Sequence, residues 1–184
     1  MIPKNVVGIV GMPGSGKSVV DDVATNLGFS IVIMGDVIRE EVANMNLEPT
    51  SENIGKTMLH FRKEKGLDAV ARICLPRIQA LSNEKVIVEG IRNLSEVYTF
   101  RQNFHDFKLI AIHASPSTRF YRIFKRNRSD DAANWNTFLK RDLREIRVGI
   151  GSAIALADYT IINEGSFKSF KNRVRNCLQM ILDA

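Results

Sequence analysis

Cysteine is scarce in this chain of 184 residues: Cys74 and Cys177 are the only two, too few for a disulfide framework or a four-cysteine zinc site. Both fall in helical patterns and read as small hydrophobes, and a reducing cytoplasm is the expected compartment. Long apolar runs are also missing. The longest hold four or five residues, as at 6–10, whereas a bilayer span needs about 18; no membrane association is expected. The first residues offer one lysine and a short apolar run that leads into a glycine loop, so no signal peptide is expected either. No stretch of proline, glycine or serine marks a linker, and no segment repeats. The chain reads as one domain over 1–184. Hydrophobic residues at 45% and charged residues at 25% are ordinary globular usage, which excludes disordered and fibrous classes.

Acidic residues are outnumbered, 20 against 26 basic ones, for a net charge of +6 and an isoelectric point near 9.5. A nucleic-acid partner is one reading of that sum. A basic cleft for a phosphorylated small molecule gives the same sum, so the placement of the arginines decides between them.

Short β-branched runs at 6–10, 31–34, 86–88, 109–112 and 159–162 alternate with longer helical patterns. Apolar runs without internal polar residues suit strands buried on both faces, and strand–helix alternation demands crossover connections. The expected architecture is α/β, a doubly wound five-stranded parallel sheet. Three helical patterns, at 37–45, 54–64 and 69–81, crowd the interval between the second and third strands, where one would suffice. That surplus, over 36–84, predicts a helical acceptor-binding insertion at the carboxyl edge of the sheet, where open α/β sheets place ligands. A second surplus at 125–148 predicts a lid: an arginine-rich turn entering a long helix from Asn134 to about Ala157.

The segment GMPGSGKS at 11–18 fits G-x-x-x-x-G-K-[ST] and lies between a strand and a helix, as its mechanism requires. Its glycines let consecutive backbone N–H groups turn inward, and these join the positive helix end in cradling phosphate oxygens. Gly11, Met12, Pro13, Gly14, Ser15, Gly16, Lys17 and Ser18 are therefore the expected ATP contacts. Lys17 is to reach the β- and γ-phosphates as a catalytic cation, and the Ser18 hydroxyl is to hold Mg²⁺. This makes the expected fold that of P-loop NTPases.

Arg39 and Arg92 stand just past the ends of the second and third strands, where two guanidinium forks can converge on one phosphate. Asp36 lies beside the first; a helix N-cap is its competing reading. Glu89 ends an apolar strand, where a carboxylate needs a partner or an exposed position. In the lid, Arg119, Arg122, Arg126 and Arg128 precede Asp130 and Asp131, and Arg141, Arg144 and Arg147 follow. Arginines on a closing lid would supply positive charge and exclude water; Arg126 and Arg141 are the expected catalytic pair. On a helical wheel Trp135, Phe138, Leu139, Leu143 and Ile146 form one stripe, read as packing, with Trp135 in the core and Lys140, Arg141 and Arg144 opposite.

In order and spacing, the loop at 11–18, MGDVIRE at 34–40 and VEGIR at 88–92 resemble the nucleoside-monophosphate kinases, adenylate kinase above all. The resemblance implies that Arg39 and Arg92 clamp an acceptor phosphate with Asp36 nearby, and that Glu89 helps organise Mg²⁺. Gly90, Ile91 and Arg92 stand without the proline usual in adenylate kinases. HASPSTRFYR at 113–122 and ALADYTIINEGS at 155–166 resemble an archaeal family of adenylate-kinase-related P-loop proteins along essentially the whole chain. The second segment is also similar to dephospho-CoA kinases. In both families the loop after the last strand lies near the donor base, which makes Asn163 and Gly165 ATP-binding candidates, with a plain turn before the last helix as the competing reading.

The expected function is phosphoryl transfer from ATP with Mg²⁺ to a small phosphorylated nucleoside, AMP or a related monophosphate. One alternative is a dephospho-CoA kinase-like reaction at a ribose hydroxyl, with Asp36 as base. The other is an ATP-binding and hydrolysing switch in RNA or ribosome assembly. RNA is the less favoured partner, needed only if Lys168, Lys171, Arg173 and Arg175 form a patch of their own.

Overall fold

The computed structural model describes residues 4–126, 131–132 and 134–183. β1 (Asn5–Val10), β2 (Ser30–Ile33), β3 (Lys85–Ile91), β4 (Lys108–His113) and β5 (Tyr159–Ile162) fall on the five expected apolar runs. They form one sheet in the order β2-β3-β1-β4-β5, parallel at every pairing. β1 sits between β3 and β4, so the chain leaves it toward one edge and leaves β3 toward the other. Such a reversal opens a crevice beyond the strands' carboxyl ends. The apolar run at 109–112 extends by one residue to His113, the last of β4.

Successive residues of β1 point to opposite faces, and each face is covered. Val6 and Val10 join Val86, Val88, Leu109 and Ala111 under α2 (Met34–Asn44), α4 (Ala69–Ala80), α5 (Leu94–Asn103) and α8 (Ile150–Ala155). Val7 and Ile9 join Ile87, Ile110, Ile112 and Ile161 under α1 (Lys17–Asn26) and α9 (Phe167–Leu182). The described helices between β2 and β3 are α2, α3 (Ser51–Lys65) and α4. Cys74 is buried in α4 and Cys177 half-buried in α9. No helix among the described residues is long and apolar enough to cross a membrane.

The segment expected to be one helix from 134 to 157 is two. α7 (Trp135–Val148) stops at Gly149, whose φ of 109° lies in the left-handed region, and α8 begins beyond it. A left-handed glycine after the last turn is a common helix stop. Of the expected packing stripe only Phe138 is buried, and the rest is corrected. α7 buries Phe138, Asp142 and Glu145, whereas Leu139, Leu143 and Ile146 are 43%, 44% and 53% exposed. Trp135, expected in the core, is 44% exposed, with its ring edge-on to Phe120 at 5.2 Å between centroids. The helix is rotated away from the wheel's expectation because its inward face is held by ion pairs. Its arginine partners lie on α6 (Pro116–Arg126) and at the end of β3. Arg128 and Asp130 lie outside the described residues.

Candidate active site

The loop between β1 and α1 is stitched to the sheet at both ends. Ser15 N–H donates to the Met12 carbonyl at 3.1 Å, the Met12 side chain packs against the core, and Ser15 is fully buried. Asn163, just past the end of β5, donates its amide to the Ser15 carbonyl at 2.8 Å. A Cβ at Gly16 would lie 2.3 Å from that amide nitrogen, and the backbone there has φ 107°; only glycine meets both demands. Lys17, the first residue of α1, donates to the Gly11 carbonyl at 3.0 Å and stands 3.6 Å from Glu89. Burial pulls the Lys17 ammonium below its ordinary pKa, against the opposing pull of Glu89. Pro13, Gly14, Gly16, Lys17 and Ser18 line a cleft of about 470 Å³.

The acidic side of the cleft suits a divalent cation. Glu89 lines it with Ser18, whose residue is exposed. Asp21, one turn beyond Lys17, is a residue that the motif did not indicate; its Oδ1 is buried with no partner among the described residues. Burial first, and then the Glu89 charge, push the Asp21 carboxyl up from its ordinary 3.8 to about 7, while Lys17 pulls it down. One hydroxyl and one or two carboxylates, completed by substrate phosphates, form the donor set Mg²⁺ takes. In the free protein, the folded state keeps a proton on Asp21 that the unfolded chain releases near 3.8. Stability is therefore expected to fall as pH rises from about 4 to about 7 and to level off above. Urea midpoints across that range check it: Asp21→Asn should flatten the slope, and an unchanged slope would exclude this carboxyl as its source.

On the other side, β2 and β3 bring the two expected acceptor arginines together. Ile33 pairs with Glu89 in the sheet, and a one-residue bulge comes next, since Ile9 faces Glu89 but Val10 faces Ile91. A bulge bends its strand and re-aims the residues beyond it; Arg92 comes after this one and lines the cleft with Arg39. Asp36 is not an N-cap: it lies in the first turn of α2, whose cap position is Ile33, and its carboxylate is ion-paired with Arg39. Arg92 is ion-paired with Glu145 of α7. Its backbone N–H donates to Glu96 at 2.7 Å, and Glu96 accepts from Arg62 of α3 at 2.6 Å. Both Glu96 and Arg62 are buried.

The expected lid arginines take different positions. Arg119 is buried, its fork donating to both Asp142 oxygens at 2.8 and 2.5 Å and to the Pro13 carbonyl at 3.2 Å. Arg122 lines the cleft and donates to the Asn163 carbonyl at 2.9 Å. Arg126 and Arg141, the expected catalytic pair, both line the cleft. Arg126 donates to Asp131 at 2.9 and 2.5 Å, and Arg141 stands 3.9 Å from the same carboxylate. Arg144 reaches toward Gly55 on α3, and Arg147 is exposed. With its amide given to Ser15, Asn163 braces the loop; Gly165 and the exposed Phe167 line the cleft beyond it. Sequence reasoning missed Asp21, Arg62, Glu96, Asp142, Glu145 and Phe167.

A five-stranded parallel sheet with a glycine loop after its first strand and a lysine at the head of the next helix defines a P-loop kinase-like protein. A family profile described as "AAA domain" matches residues 10–138. A UPF0200 protein of Methanocaldococcus jannaschii is 49% identical over 180 residues, covering 97% of this chain and 91% of the relative. One of Pyrococcus furiosus is 43% identical over 179 residues, covering 95% and 96%. The chain belongs to the archaeal UPF0200 family. Among solved structures, shikimate kinase of Acinetobacter baumannii, in complex with shikimate, superposes with a TM-score of 0.60 at 13% identity, covering 99% of this chain and 95% of that one. A gluconokinase of Sinorhizobium meliloti does so with 0.59 at 15%, covering 98% and 94%. At such identities the likeness is one of fold.

Proposed function

We propose that the protein is an ATP- and Mg²⁺-dependent phosphotransferase of the cytoplasm whose acceptor is a nucleoside monophosphate of the AMP type. The observation that carries this reading is the placement of Arg39 and Arg92, just past adjacent strand ends, on the same cleft as Lys17 and Ser18. Two guanidinium groups facing a phosphate loop across one cleft suit a ligand with an anionic end of its own. A phosphate acceptor is already nucleophilic at neutral pH, so positioning and charge neutralisation suffice. Ser18 and Glu89 are the residues that would hold Mg²⁺, which would supply positive charge to the transferring phosphoryl group. Arg126, Arg141 and Lys17 supply the rest. A ribose-hydroxyl acceptor would instead need a free carboxylate base, and Asp36 is engaged with Arg39.

The test is a panel of nucleoside monophosphates plus dephospho-CoA, each offered with ATP and Mg²⁺ to the purified protein. A charged hydrogen bond is worth about 1.5–3 kcal/mol, so Arg39→Ala and Arg92→Ala are each expected to raise the acceptor KM about tenfold or more. Asp36→Asn should keep turnover close to that of the parent. Turnover lost at unchanged KM in Asp36→Asn would favour a hydroxyl acceptor, and slow hydrolysis alone with every acceptor would end the kinase reading.

A further inference from the structure

Glu145 belongs to no motif, yet its carboxylate is in direct contact with a residue of the cleft wall. It projects from α7, is 2% exposed, and accepts from Nη1 of Arg92 through its Oε2. We propose that Glu145 is the positioning residue that aims the Arg92 guanidinium at the acceptor's phosphate, an inference that rests on the acceptor reading above.

Three observations support it. First, Glu145 takes one nitrogen of the fork, Nη1. Arg92 lines the cleft and keeps 27% of its side chain exposed, and its remaining guanidinium nitrogens have no partner among the described residues. A guanidinium held at one nitrogen keeps its other N–H groups for a ligand, which suits hydrogen bonds to a phosphate monoester. Second, the backbone is fixed independently. Glu96 accepts from the Arg92 N–H at 2.7 Å and is itself paired with Arg62, so Glu145 has only the side chain left to orient. Third, Glu145 stays ionised in its buried position. Burial alone would push its carboxyl up, but Arg92, Arg141 and Arg144 outweigh burial and hold it below the usual carboxylate range.

The same helix carries Arg141, one turn earlier, into the cleft. Residues four apart lie on one helix face, so α7 presents a cation to the cleft and anchors a second cation, Arg92, just past β3. The spacing of the two is set by one rigid turn. A lone arginine would sample many rotamers before meeting its ligand; a braced one has already lost that entropy.

Steady-state kinetics of Glu145→Gln with ATP and AMP, together with the Arg92 guanidinium NMR signals, test the proposal. Loss of the brace is expected to raise the AMP KM about tenfold, leave the ATP KM within about twofold, and change kcat less than KM. The Arg92 guanidinium signals should be resolved in the parent and broadened in the variant. Glu145→Asp keeps the charge one methylene short and is expected to raise the AMP KM by about threefold, so it carries the test if Glu145→Gln does not fold. Arg92→Ala with Glu145→Gln should be no worse than Arg92→Ala alone. An unchanged or lower AMP KM, unchanged Arg92 signals, or equal rises for AMP and ATP would overturn the inference and leave the kinase reading standing. Parent protein that binds ATP but phosphorylates no monophosphate defeats the proposed function, and the acceptor role of Glu145 with it.

Discussion

Lys17→Ala is expected to lower phosphoryl transfer from ATP by at least about a hundredfold, the scale on which a preorganised charge at a developing anion acts. The ammonium has few internal partners: the Gly11 carbonyl at 3.0 Å and Glu89 at 3.6 Å. Burial pulls its pKa down, which means that the free protein holds this cation at a cost. Incoming β- and γ-phosphates would relieve that cost, and the relief is greatest where negative charge is greatest, in the transition state. The loss should therefore fall on kcat and on ATP affinity together. Lys17→Arg should not restore it, because a planar fork cannot replace a compact ammonium where the loop closes tightly. Single-turnover rates and ATP titration calorimetry check the prediction. ATP affinity and turnover within about threefold of the parent would remove Lys17 from the chemistry.

Parts of this site were legible in the sequence for definite reasons. The five strands stand out because strands covered on both faces need uninterrupted apolar runs, and every run became a strand. The phosphate loop stands out because each position demands a particular residue type, which leaves a pattern at fixed spacing. Arg39 and Arg92 lie 53 positions apart in sequence, and their shared cleft depends on the pairing of β2 with β3. Helix α7 shows where such reasoning stops. A wheel ranks faces by apolar residues and so chose Trp135, Phe138, Leu139, Leu143 and Ile146, but beside Phe138 the inward face is made by Asp142 and Glu145. Their arginine partners lie 23 and 53 positions away, and an ion pair at that range leaves no periodic trace. Asn163 was expected near the donor from the resemblance alone, and the target of its amide, Ser15, is 148 positions distant. What a polar side chain bonds to is a property of the assembled fold.

The second large effect is expected from Asp142→Ala. Arg119 is 3% exposed and Asp142 6%, and the two are joined by a bidentate pair at 2.8 and 2.5 Å. The guanidinium also donates to the Ala114 carbonyl at 3.1 Å and to the Pro13 carbonyl at 3.2 Å, and it lies 5.0 Å from the centre of the Phe138 ring. Removing the carboxylate leaves that cation buried without its counter-charge. Breaking a buried pair in this way costs about 3–5 kcal/mol, which for a chain of this size corresponds to a fall in Tm on the order of 10 °C. The pair replaced as a whole should behave differently. Arg119→Met with Asp142→Leu leaves no stranded charge and is expected to recover most of the stability, as buried pairs exchanged for apolar residues often do. ATP affinity should stay below that of the parent, because the Pro13 carbonyl in the phosphate loop loses its donor together with Arg119. Thermal unfolding and ATP titration of the single and double variants separate these effects. A Tm within about 2 °C of the parent in Asp142→Ala would show that the pair contributes little to stability. ATP affinity restored together with Tm in the double variant would show that Arg119 braces the helices and not the loop.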